Sequence, residues 1–423
     1  MLAPARPGGV PRSRAEAEEA DRLDPLAGFR DEFVIPAPAP IYLDGNSLGR
    51  PPRAVAVAVG NFLAEWGGAL VTGWERWAEL PNTIGDRIGS MVGAAAGQIA
   101  VSDSTTVNLY KLAEAALAAR PGRGTILADQ HDFPTLNYVL QGVAARHGLC
   151  LRLLATDPNE GAETAQVRDG LDDDVALVCL SAVNFRSGAV ADMALVNTAA
   201  HQAGALTLWD LSHAAGVLPV ELDASGADLA AGCTYKYLNG GPGAPAWLYV
   251  RSSLQTELRQ PVWGWWGQRD QFAMRPGYDP VESIGRFLTG TPAVLGLVAL
   301  DAALGPSITA GVEAIWQKAR RLVELLAVRA LELAPDGAKL ASPAEPRRRG
   351  GHLALAHPNA RNAAQLLIER GLVVPDYRPP DVLRLAPAAL YTSYTDVWDA
   401  MDHLGAVLAD PAPAGAVPGT RFT

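Results

Sequence analysis

A chain of 423 residues exceeds the roughly 250–300 at which single cores stop growing, so two domains are expected. It is 49% hydrophobic and 19% charged, with a formal charge of −10 and one basic cluster, Arg347-Arg348-Arg349, which excludes the electrostatic footprint of a nucleic-acid binder. No apolar run reaches the ~18 residues that cross a bilayer and the start lacks the apolar core of a signal peptide, so a soluble cytoplasmic protein is expected. The three cysteines, Cys150, Cys179 and Cys233, stand in apolar runs without metal-ligand spacing, which predicts reduced core thiols and no metal site.

Residues 1–35 are rich in Pro, Arg, Ala and Glu without a sustained apolar stripe and read as a mobile tail, as do residues 409–423. Between them, short apolar runs such as "TILAD" (125–129), "VALVCLSAV" (175–183) and "ALTLWD" (205–210) alternate with helical stretches such as "TVNLYKLAEAALAAR" (106–120) and "MALVNTAAHQAG" (193–204). That alternation predicts an α/β fold of βαβ units around a mainly parallel sheet, here assigned to residues 36–305. From about residue 310 a long helical pattern, "GVEAIWQKARRLVELLAVRALELA", leads to "GHLALAHP" and "DVLRLAP", which predicts a smaller α+β domain over residues 306–408. No GxGxxG is present, so a dinucleotide-binding fold lacks its usual fingerprint.

Three features carry chemistry. Lys236, in "GCTYKYLNGGPGAPAWLYV" (232–250), sits in apolar surroundings that favour the neutral, nucleophilic amine. Asp210 closes the apolar run "ALTLW" 26 positions earlier, where the carboxyl end of a parallel strand faces the ligand crevice; alone it suits equally the N-cap of a helix beginning "LSHAAG". In "VSDSTTVNLYKL" (101–112), hydroxyl residues open a helix whose free N–H groups and dipole suit a phosphate, or serve plain capping. The order phosphate cup, strand-end Asp, then Lys is a joint pattern.

With "YLDGNSLGRPP" (42–52), "DFPT" (132–135), "VNFRSG" (183–188), "LWDLSHAAGVLPVEL" (208–222) and "VLRLAPAALYTSYTDVW" (382–398), these segments resemble, in order over about residues 35–405, the kynureninase family. The resemblance implies a pyridoxal-phosphate enzyme of aspartate-aminotransferase fold type I that hydrolyses L-kynurenine to anthranilate and L-alanine, a step of tryptophan catabolism that feeds NAD biosynthesis. It implies that Lys236 bonds covalently to pyridoxal 5'-phosphate, that Asp210 partners the pyridine nitrogen, that Phe133 stacks on the ring, and that Ser104, Thr105 and Thr106 hold phosphate, Thr106 foremost. Thr135 falls in the matched "DFPT"; His213 and Tyr235 match residues lining the cofactor, with Tyr235 assisting proton transfer. Trp265 and Thr291 match positions that reach the phosphate of a neighbouring subunit, which implies a homodimer with shared active sites, and Arg384 matches the arginine that grips the substrate carboxylate.

Three positions depart from the family pattern and bear on the substrate, among them Ala182, which stands before "VNFRSG" where some relatives have histidine. Leu136 follows "FPT" where many family members place an aspartate, and His131 is the extra polar group nearby. In "WGGALVTGWERWAELP" (66–81), where the resemblance implies a histidine near the aryl ring in animal members of the family, the nearest candidates are Trp74 and Trp77; Trp74 and Ser47 are expected at the aryl pocket, with L-kynurenine preferred over its 3-hydroxy form. Another β-substituted or γ-oxo amino acid is the alternative substrate. A cysteine-desulfurase-like activity would need a thiol on a mobile loop, which none of the three cysteines provides.

Overall fold

The computed structural model describes residues 9–333 and 337–409. In chain order, the strands are β1 (Ile41–Tyr42), β2 (Ile99–Val101), β3 (Thr125–Asp129), β4 (Cys150–Leu154), β5 (Val175–Ser181), β6 (Leu206–Asp210), β7 (Leu229–Gly232) and β8 (Trp247–Val250). After two long helices come β9 (Lys339–Leu340), β10 (Leu353–Ala356), β11 (Val373–Val374), β12 (Asp376–Arg378) and β13 (Val382–Leu385).

The expected parallel sheet is present as seven strands in the order β2-β8-β7-β6-β5-β3-β4, of which β8 alone runs against its neighbours. Its strands are apolar at successive positions because both faces are covered. On one face Leu177, Cys179, Leu206 and Leu208 meet Leu109 and Leu112 of helix Thr105–Ala118 and Leu140 of helix Pro134–His147. On the other, Val178, Leu180 and Trp209 meet Val196 and Ala200 of helix Met193–Gln202. The register pairs Ser181 with Asp210 and Asp210 with Ala231, so the carboxyl ends of β5, β6 and β7 finish level and their loops open on one crevice.

The second unit is a four-stranded antiparallel sheet, β12-β13-β10-β9, covered by helices Val312–Glu332, Ala360–Glu369 and Tyr394–Ala409. The expected boundary at 305/306 falls inside helix Val294–Ala310; the change of core comes later, between Ala319 in the large cluster and Leu322 in the small one.

Two expectations need correction. Within the segment read as a mobile tail, residues 14–22 form a helix, capped by the Ser13 hydroxyl and packed on helix Tyr394–Ala409. The Asp21 carboxylate accepts from the backbone N–H of Tyr394 (2.6 Å) and Thr395 (3.1 Å), and Lys318 meets Asp24 at 2.6 Å; such partners lie hundreds of positions away and leave no local pattern. Residues 1–8 and 410–423 lie outside the described residues. The stretch 53–77 is also apolar and long enough, by length and composition, to cross a membrane, although Gly, Asn and Glu interrupt it in sequence; it is hardly buried within the chain. Helix Val294–Ala310 packs along its helix Arg53–Ala69, and Trp66 (54% exposed) and Val71 (76% exposed) remain open on its outer side.

Close approach decides one glycine in the scaffold. A Cβ on Gly85, in helix Leu80–Val92, would lie 2.1 Å from the Ile99 carbonyl oxygen of β2, backbone that cannot swing aside. Gly→Ala inside a free helix gains about 1 kcal/mol. Gly85→Ala is predicted instead to lose about 1–3 kcal/mol as overpacking, read as a lower urea midpoint with unchanged slope.

Candidate active site

Lys236 lies in the loop leaving β7. Its turn is closed by Thr234, whose hydroxyl donates to the Pro245 carbonyl (2.8 Å) and whose carbonyl accepts from Gly240 N–H (2.9 Å). The "GNSLG" segment docks on it: Gly49 N–H donates to the Tyr235 carbonyl at 2.8 Å, and a Cβ on Gly49 would stand 2.3 Å from the Lys236 carbonyl oxygen, so only glycine fits there.

The Lys236 Nζ is 2.9 Å from His213 Nε2 and 5.8 Å from the centre of the Phe133 ring. Burial pushes the lysine pKa down; Cys233 and Asp210 pull it up, and the cations Arg384 and Arg378 oppose them. His213 is held well below the usual histidine range by burial and then by Lys236 and Arg384, so it is neutral. The site therefore presents a lysine poised toward its free amine, as imine-forming chemistry requires.

Eight of the residues expected here line one cavity of about 540 Å³, its mouth included, among them Thr105, Thr106, Thr135, Asp210, Tyr235 and Lys236. Phe133 and His213 line it too. Phe133 precedes Pro134, which starts its helix, and Phe185 meets its ring edge-on at 5.2 Å and 81°. The Asp210 Oδ1 accepts from Ser212 N–H at 2.8 Å, which fixes the carboxylate at the strand end.

At the helix start, Ser104 is the N-cap and its hydroxyl accepts from Val107 N–H at 3.4 Å. Ser104 does not line the cavity, whereas nothing among the described residues accepts from the Thr105 and Thr106 backbone N–H groups. Asp103 holds this turn in place. It has φ 53° and accepts from the buried Lys111 Nζ (2.7 Å) and the Thr289 hydroxyl (3.2 Å).

Arg384, on β13, is buried with its guanidinium on Asp376 of β12; Nη1 donates to the Phe185 carbonyl (2.6 Å) and Nη2 to the Ser47 hydroxyl (3.0 Å). Arg384 and Ser47 are thus brought together, and neither lines the cavity. Trp74 instead packs in an aromatic group, edge-on to Trp77 (5.6 Å) and tilted against Trp266 (5.3 Å), and does not line the cavity. Trp265 donates to the Gln271 carbonyl and Thr291 is exposed; neither lines this chain's cavity.

The residues not anticipated include Ser181, which shares with Asp210 the one available signal, a polar residue where an apolar strand ends, and Ser212, just past the end of β6. Phe185 had none beyond its place in "VNFRSG". Leu136 is buried and lines the cavity, and His131, which pairs with Gln130 at 3.0 Å, does not line it. Cys150 is exposed, against expectation, because β4 is an edge strand; it begins that strand and so lies at the end of the sheet opposite the site. Cys233 is buried near the site and its thiol pKa is pushed up by burial, which keeps it from acting as a thiolate.

Lysine loop, strand-end carboxylate and open helix start at one end of a parallel sheet describe a class, and solved structures share its whole architecture. A cysteine desulfurase from Thermococcus onnurineus NA1 matches at TM-score 0.76 and 18% identity, over 93% of this chain and 98% of that one. One from Escherichia coli matches at 0.78 and 20%, over 91% and 98%. C-DES with glycine covalently linked to its PLP cofactor matches at 0.78 and 21%, over 90% and 99%. The fold is that of the type I pyridoxal-phosphate enzymes. At the level of sequence, the family model for the kynureninase C-terminal domain matches residues 315–404. A kynureninase from Burkholderia pseudomallei is 40% identical over 405 residues, 94% of this chain and 96% of that protein. One from Pseudomonas fluorescens is 38% identical over 410 residues, 94% and 95% of the two chains. The chain belongs to the kynureninase family.

A carboxyl group beneath the site titrates unusually. Asp132 is buried, its Oδ2 accepting from Ser181 N–H (2.9 Å) and its Oδ1 without a partner among the described residues; burial, then Asp129, raises its pKa to about 7. Its unfolded value is near 3.9, so between these values the folded state keeps a proton the unfolded state has lost, and stability falls as pH rises through that window. Asp132→Asn, which still accepts from Ser181, escapes that loss. Its stability relative to the parent, measured by urea unfolding, is predicted to improve by up to about 4 kcal/mol from pH 4 to pH 8; a pH-independent difference would show an ordinary carboxylate.

Proposed function

We propose that this protein is a pyridoxal-phosphate-dependent hydrolase that cleaves L-kynurenine to anthranilate and L-alanine, in tryptophan catabolism. The observation that carries the reading is the alignment with curated kynureninases over 94% of the chain, with Lys236, Asp210 and the Thr105–Thr106 helix start converging on one cavity.

The donor set fits the cofactor. Unclaimed N–H groups and hydroxyls at Thr105 and Thr106 suit its phosphate, Asp210 its pyridine nitrogen, the Phe133 ring its face, and Lys236 its aldehyde. Once bound, the cofactor supplies the electron sink that weakens the substrate's Cβ–Cγ bond. Arg384 orients the substrate through its carboxylate; three of its donors already serve Asp376 and Phe185, and the one on the Ser47 hydroxyl is exchangeable because that hydroxyl can turn. The neutral amine of Lys236 takes the proton from the substrate α-carbon, and water adds to the γ-carbonyl. Tyr235, whose phenol burial keeps protonated, donates rather than accepts a proton at this stage.

The same reading makes the protein a soluble, cytoplasmic homodimer. Trp66, Val71, Phe272 (71% exposed) and Met274 (71% exposed) are apolar surface that a second copy would cover, and Trp265 and Thr291, outside their own cavity, are then available to the neighbour's phosphate.

The direct test follows anthranilate fluorescence from purified protein with L-kynurenine and 3-hydroxy-L-kynurenine side by side. Lys236→Ala is predicted to lose both the visible absorption of the lysine-bound cofactor and turnover. Asp210→Ala should keep that absorption and lose most turnover, and Arg384→Leu should weaken kcat/KM for both substrates by about 2–5 kcal/mol. A parent protein that never takes up the cofactor overturns the reading. Cofactor uptake without anthranilate points, with Leu136 in the cavity wall, to another γ-oxo or β-substituted amino acid.

A further inference from the structure

Behind Lys236 lies a group of buried polar atoms that the reaction above does not use. His352 precedes β10 and is 0% exposed, with no partner on either ring nitrogen among the described residues. The same is true of Nδ1 of His213, the histidine that touches the lysine, and of the Tyr237 hydroxyl. The His213 and His352 rings are 5.6 Å apart between centroids, tilted by 56°. The two rings make no hydrogen bond as they stand; nitrogens turned to face each other at that spacing would be about 3.3 Å apart, so a small turn of either ring or one bridging water would join them.

His352 is fixed from both sides. The Gly350 N–H donates to the Gly188 carbonyl (2.7 Å), Val190 N–H to the Arg348 carbonyl (2.8 Å), and a Cβ on Gly188 would stand 3.4 Å from His352 Nε2. A Cβ on Gly351 would come 2.8 Å from the Tyr237 hydroxyl. Burial first, then Arg384 and Lys236, keeps His352 neutral, while the backbone of Arg186 and Phe185 stands near enough to favour its N–H. A neutral imidazole has one donor and one acceptor, and buried polar groups of this kind are almost always paired.

We propose that His352 is a positioning residue: it accepts the Nδ1–H of His213, directly or through one water, and so holds His213 in the tautomer whose Nε2 lone pair faces Lys236. The Lys236 amine then donates one N–H to His213 and keeps its own lone pair free to attack a carbonyl carbon. The opposite tautomer places an N–H at Nε2, which would bond to that lone pair and block it. His352 in turn gives its N–H to the backbone at Phe185 or Arg186. Phe185 offers the carbonyl that Arg384 already uses, so the carboxylate-gripping arginine and the lysine belong to one chain of hydrogen bonds.

This deepens the assignment of Lys236 as the covalent lysine and rests on it. The test uses cofactor-free full-length protein with ¹⁵N-labelled histidine. In the parent, NMR should show His213 as the Nδ1–H tautomer; in His352→Phe, which keeps the shape and removes both nitrogens, it should show the Nε2–H form or a mixture. The rate at which pyridoxal phosphate is captured, read as visible absorption, should fall about tenfold in His352→Phe, the effect of one lost hydrogen bond. Of His352→Asn and His352→Gln, whose amides fall near Nδ1 and Nε2, one should restore capture to within about twofold. An unchanged tautomer and capture rate in His352→Phe overturns the proposal. So does an equal loss in all three variants with a matching fall in Tm, which would make His352 only a packing residue. Either failure leaves the Lys236 assignment standing, since that is decided by Lys236→Ala.

Discussion

A lysine amine withdrawn from water at the end of a parallel sheet is the constraint on which the rest depends. An ammonium in such a place is costly, and burial with the cations Arg384 and Arg378 pushes this lysine toward the free amine against the pull of Cys233 and Asp210. The sheet order follows from the same need. Strands β5, β6 and β7 end level, so Ser181, Asp210 and the Lys236 loop reach one crevice, while the start of helix Thr105–Ala118 supplies the positive end for an anion.

The second unit completes the site rather than standing apart from it. Arg384 comes from its antiparallel sheet, and its contacts with Ser47 and the Phe185 carbonyl join three segments more than a hundred positions apart. His352 enters from the same sheet, strapped to residues 188–190. Arg384 is thereby tied to the Phe185 backbone of the large unit, where a shift of either unit would be felt by both.

What the sequence made legible has a physical limit. Lys236, Asp210, Thr105 and Thr106 could be read because each sits where a local pattern ends: a strand, a glycine-broken loop, a helix start. Ser104 was read with them, but a cap and a phosphate ligand share one pattern, and only the Val107 contact shows its hydroxyl serving the cap. Trp74 was placed at the aryl pocket from its position in the chain, yet an indole's neighbours are set by tertiary packing, here Trp77 and Trp266. The N-terminal helix and the roles of Asp376 and His352 depend on contacts across more than a hundred positions, or across a strand pairing, and no local periodicity reports them.

The account turns on the state of one amine, so the most direct measurement is the pKa of Lys236 in the cofactor-free protein, from the pH dependence of its chemical modification with Lys236→Ala as the blank. The account predicts a value clearly below the ~10.4 of an ordinary lysine, set by burial and by the cations at Arg384 and Arg378. A value at or above ~10.4 would mean that Cys233 and Asp210 outweigh burial, and would contradict the view that the fold exists to hold this lysine ready.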